Sequence, residues 1–184
     1  MYLDILHCGL ARWTDKWGDP LLQGVAIMGL FALAAALATL AALRTKGRDR
    51  LFWVSVACAC ALFAANVHLD LHVLPNAIGR CAAAAQGWFD QKEIARAAFI
   101  GGALAATGGL ALVVLWQFWR QLKENLLVLL GVGLTVGAQA AKGLGWKGDE
   151  LAFGPVSAPD APDVIGAAMV IVGALIALRR LRAG

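Results

Sequence analysis

From Leu21 to Leu43 the chain reads LLQGVAIMGLFALAAALATLAAL, without one charged side chain. A helix of that length reaches about 35 Å at 1.5 Å per residue, enough to cross the hydrocarbon of a bilayer. A helix on a soluble protein keeps a polar face; this run has none, so its whole surface calls for an apolar solvent. The pattern recurs. Four more apolar segments follow: Leu51–Val67, which as a helix extends to about residue 73, then Ala97–Trp119, Leu126–Ala141 and Val164–Leu178. The last two fall short of the roughly 17–25 residues of a usual span and borrow length from flanks where Lys and Arg can snorkel. The expected fold is all-α: a polytopic membrane helical bundle of five transmembrane helices with short interfacial helices on the outer side. One membrane domain over residues 1–184 accommodates it.

Bulk composition agrees. The chain is 60% hydrophobic and 15% charged, whereas soluble domains are nearer half apolar and about a quarter charged. A net charge of +4 and a pI near 9.1 would suit a nucleic-acid partner. However, the cations sit in short links between apolar runs, where membrane topology accounts for them. The partner these numbers imply is the lipid bilayer, not nucleic acid.

The links also set an orientation. On one side fall Arg44, Lys46, Arg48, Arg50, Arg120, Lys123, Arg179, Arg180 and Arg182, with only Asp49 and Glu124 as acids, a balance of +7. The other side carries the remaining seven cations and ten acids, a balance of −3. The positive-inside rule then places the chain in a bacterial inner membrane with its N-terminus outside and its C-terminus cytoplasmic. Tryptophans fit the same frame: Trp13, Trp17, Trp88 and Trp146 map to the outer interface, and Trp53, Trp116 and Trp119 to the inner one. Indole prefers that layer because it joins an apolar body to one N–H donor.

Residues 1–20 lack the basic start and apolar core of a cleavable signal. Leu6, Leu10, Trp13 and Trp17 instead recur at helical spacing opposite Asp4, Arg12, Asp15 and Lys16, which predicts a helix lying in the headgroup layer. In the long outer segment, Pro75 opens a short helix that runs to about Gln86 and stops at Gly87. Asp90 and Glu93 form a capping-box-like start for the next span. Within the spans, Gly133 and Gly137 make a GxxxG pair, read chiefly as an intramolecular packing surface.

Groups able to carry chemistry gather on the outer side. His68 and His72 are four apart and share a helix face, so together they could hold zinc or another metal, with a third ligand from His7, Asp149 or Glu150. The plainer reading is a helix end with ordinary interfacial polar residues. Asp70, Asn66, Arg80, Arg96 and Gln139 form a candidate polar cluster: an acid at the membrane surface calls for a partner, Arg80 first and Arg96 second. Cys58 and Cys60 sit inside a span as small apolar residues. Cys8 and Cys81 both map outside, where an oxidising compartment permits a disulfide between them. None of these sets is a complete catalytic constellation.

Over residues 66–100 the motifs Asn66, Leu69-Asp70, Gly79-Arg80, Gly87-Trp88-Phe89 and Phe99-Ile100 resemble a group of small bacterial integral membrane proteins without an assigned activity. In that group an Asn…Leu-Asp closes one span, a Gly-Arg lies in an outer helix, and Gly-Trp-aromatic precedes the next span. The resemblance implies a shared outer-face arrangement around Asp70, Arg80 and Trp88. Where the group carries a histidine-rich motif, this chain has Lys142–Glu150, KGLGWKGDE, so a metal role does not carry over. Together these readings lead to a non-enzymatic inner-membrane protein, an accessory subunit packing against other membrane protein subunits. The alternatives are a small binding or transport protein with an outer-face polar pocket, and a metal-dependent membrane enzyme.

Overall fold

The computed structural model describes residues 2–14, 22–69, 74–87, 109, 116, 119, 124–143 and 160–183. These residues build six helices and no strand: α1 (Tyr2–Thr14), α2 (Leu22–Arg44), α3 (Gly47–Leu69), α4 (Leu74–Gln86), α5 (Leu126–Gly143) and α6 (Ala161–Ala183). Three of them, α2, α3 and α6, are long and apolar enough to cross a membrane; α5 is a shorter apolar helix. Five spans are therefore not all in view, and most of Ala97–Trp119 lies outside the described residues. The chain divides into two compact units, one holding α1 and α4, the other α2, α3, α5 and α6.

In the first unit α1 packs along α4. The buried face of α1 is Ile5 and Gly9, while Leu6 and Leu10 stay exposed. Of the stripe that sequence periodicity singled out, Leu6 and Leu10 thus point outward, Trp13 is half-buried and Trp17 lies outside the described residues, and the helix contact runs through Ile5 and Gly9. Gly9 is required there, because a Cβ would come within 2.6 Å of Ile78 Cγ1. From α4 come the buried Ala77, Cys81 and Ala83. The helix ends at Gly87, whose φ of +72° is a left-handed conformation that glycine adopts without the usual Cβ penalty.

In the second unit α2 is the central helix, packing on both α3 and α6, while α5 lies against α6. Its buried positions Ile27, Phe31, Ala34, Ala38 and Ala41 recur every three or four residues. Alanines along this seam keep the helix narrow, so α3 approaches closely. Phe31 meets Phe63 with ring centroids 5.4 Å apart, and Ile27, Phe31 and Ala167 are the buried centre around which Leu30, Phe63, Ala64, Val67 and Val164 gather. The link between α2 and α3 is only Thr45 and Lys46. Thr45 donates its hydroxyl to the Ala41 carbonyl at 2.9 Å, and Gly47 takes a φ of +60° to reverse the chain. That turn lets α3 start one turn before its apolar run, with Asp49 in the first turn facing the helix dipole favourably.

Glycine decides how α5 and α6 meet, though not the expected pair. A Cβ on Gly131 would lie 2.6 Å from the Gly166 carbonyl oxygen, and one on Gly166 would run into Thr135 Oγ1. Gly133 and Gly137 instead have nothing within 4 Å and are exposed. Gly131 and the Gly133–Gly137 pair sit on different faces of α5, and only the Gly131 face is turned to α6. Backbone-to-backbone approach of this kind is a main source of helix association where lipid removes the hydrophobic drive.

Candidate functional site

At one end of the four-helix unit, α2 and α6 begin and α3 and α5 finish. Each contributes a polar side chain there. Gln139 and Lys142 are three apart on α5 and share a face. Asp160 opens α6: its carbonyl accepts from the backbone N–H groups of Asp163 and Val164 at 3.1 Å each. Asp163, three residues on, lies in the first turn of α6, where the helix dipole favours a carboxylate.

These groups form one connected network. Asn66 Nδ2 on α3 donates to Gln139 Oε1 at 2.9 Å. Gln139 Nε2 donates to both carboxylate oxygens of Asp163, at 3.2 and 3.1 Å. Lys142 Nζ donates to Asp163 Oδ2 at 2.6 Å and to Asp160 Oδ1 at 2.8 Å. Gln23 Nε2, in the first turn of α2, donates to Asp160 Oδ2 at 3.0 Å. Gln139 is the hinge of the set, since its amide accepts from α3 on one side and donates to α6 on the other.

Burial makes the partnerships necessary. Asp163 is 2% exposed and the Lys142 side chain 16%. An isolated charge in such a place costs several kcal/mol, which close pairing with further hydrogen bonds offsets. The amide N–H groups of Gln23 and Gln139 add hydrogen bonds to the two carboxylates. Chemically the arrangement is a latch. Its donors and acceptors are directed at one another, and they tie four helices at one end.

Sequence reasoning named Asn66 and Gln139, which the structure brings together; it did not pick out Lys142, Asp160, Asp163 or Gln23. The signal was present as an Asp-x-x-Asp pair before an apolar run, with a lysine closing the run before it. Asp70, Arg96 and His72 lie outside the described residues, as do Asp149 and Glu150. Arg80 is exposed on α4, and His7 and His68 are exposed on α1 and α3. Among the described residues no three His, Cys, Asp or Glu side chains converge as metal ligands. Cys8 and Cys81 are joined by a disulfide, with Cα atoms 6.1 Å apart. Cys58 is free and exposed, and Cys60 free and buried. Comparison with known protein families, with curated proteins and with solved structures finds no match.

Proposed function

We propose that this chain is a non-enzymatic protein of the bacterial inner membrane, an accessory subunit that packs against a larger membrane complex. The observation carrying this reading is the open face of α3. Its exposed positions include Val54, Ser55, Cys58, Ala61, Leu62 and Ala65, which fall on one stripe at intervals of three and four. Only 22% of the apolar window of α3 is buried, against 33% for α2 and for α6. The middle of that stripe is small. Small side chains give lipid tails little to touch, but they let another helix come close.

The N-terminus lies outside and the C-terminus in the cytoplasm. Arg44, Lys46, Arg48, Arg50, Arg179, Arg180 and Arg182 gather at the end of the four-helix unit opposite the carboxylate cluster, which supports that orientation. The Cys8–Cys81 bond supports an oxidising compartment for α1 and α4. The shorter α5 and the Ala97–Trp119 stretch complete five spans.

Native membranes opened in mild detergent test the reading. The chain should migrate with partners. Ala61→Trp on the open stripe should release it, while Leu33→Trp, at an exposed position of α2, should not. Migration as a lone monomer, or equal release by both changes, would overturn the proposal.

A small binding or transport protein is the second reading, favoured by the Asn66–Gln139 contact within the polar cluster. It needs water to reach Gln139, and the reactivity of a cysteine placed there separates the two.

A further inference from the structure

The end of the four-helix unit opposite the polar latch holds a groove of about 300 Å³ between the start of α5 and the end of α6. That volume sits at the lower edge of small-molecule sites. Its walls are apolar, with Leu130 and Ile176 on either side and Gly173 at the floor, while its mouth carries Glu124, Asn125 and Arg180. Both α5 and α6 are apolar helices, so the groove opens where lipid molecules stand. From these placements we infer that it is a binding site for one phospholipid whose headgroup carries both a phosphate and a primary ammonium.

Charge complementarity selects that class. The Arg180 guanidinium presents a fork of donors matched to phosphate oxygens. Glu124 stands at the same mouth with the opposite sign and answers an ammonium. A headgroup with phosphate alone would meet Glu124 unfavourably. One with a quaternary ammonium would satisfy the charge but offer Glu124 no N–H. Asn125 heads α5, its carbonyl accepting from the Leu129 N–H at 3.1 Å. The positive end of the α5 dipole therefore lies at the end where the phosphate would lie. An acyl chain then runs along Leu130 and Ile176. Gly173 lets α6 close on α5 at the base of the groove, because a Cβ there would run into Val128 Cγ2. This inference goes beyond the proposed function and shares with it only the placement of α5 and α6 in lipid.

The test is native mass spectrometry of the full chain, titrated separately with phosphatidylethanolamine, phosphatidylcholine and phosphatidylglycerol of matched acyl chains. The expected result is one retained phosphatidylethanolamine, held about tenfold more tightly than the other two. Arg180→Gln should weaken retention of all three headgroups. Glu124→Gln should remove only the preference for the primary amine. Neither position is buried, and circular dichroism of each variant checks that the helices persist. Equal retention of the three lipids, or a Glu124→Gln variant that keeps the preference, overturns the assignment. Partner loss in the detergent experiment has no bearing on this outcome, so the two proposals fail separately.

Discussion

The α1–α4 pair and the α5–α6 pair both close on a glycine, but they are fastened by different chemistry. Gly9 lets α1 settle on Ile78 of α4, and the pair is then locked covalently by Cys8 and Cys81. Gly131 and Gly166 let α5 and α6 touch backbone to backbone, and that pair is closed by Lys142 between two carboxylates. Solvent explains the contrast. Helices α1 and α4 are thirteen residues each, with one apolar face. Helices that short are marginal alone and bury little surface together, so a covalent staple contributes what packing cannot. Helices α5 and α6 are apolar and need no staple to exist. They need a reason to choose one another over lipid, and close packing with a charged clasp supplies it.

The largest expected effect tests the clasp. Lys142→Met leaves Asp163 buried beside Asp160 without a cation, and should cost about 3 kcal/mol in reversible unfolding from mixed micelles. Adding Asp163→Leu should restore most of that loss, because an apolar pair replaces the ionic one. A double variant as unstable as the single one would mean that the clasp is not what the lysine serves. Next comes the staple. Cys8→Ser with Cys81→Ser should cost about 2 kcal/mol, below the loop-closure value for a separation of 73 residues, because α2 and α3 inside that loop stay ordered by the bilayer. Hydrogen exchange should rise in α1 and α4 and stay unchanged in α5 and α6; a rise in all four would break the comparison. The smallest effect concerns the hinge amide. Gln139→Cys, in a Cys58→Ser background, should cost about 1 kcal/mol and react slowly with a charged thiol reagent. Fast reaction would instead favour the binding or transport reading.

Much of the fold was legible because lipid imposes a coarse rule. Uncharged runs mark the spans, and α2, α3 and α6 follow theirs to within a turn or so. Gly87 stops α4 where the sequence placed the stop, since a left-handed residue there has few alternatives. Helix faces were harder. The glycines along α5 and α6 look equivalent in a string of apolar letters, and only the crossing geometry turns Gly131 inward and Gly133 outward. The polar site was half legible for a related reason. Asn66 and Gln139 stand out against apolar neighbours, whereas Lys142 and Asp160 read as ordinary link charges until three-dimensional proximity joins them. Gln23 gave no sign at all, since its role depends on α2 and α6 starting at the same level.

The bond between Cys8 and Cys81 has a topological consequence. It turns the polypeptide between them into a closed ring that contains both α2 and α3 in full. A protease cutting at the short Thr45–Lys46 link would open that ring without producing two pieces. The nicked chain would travel at full mass until a reductant was added, and only then fall into an amino-terminal and a carboxy-terminal fragment.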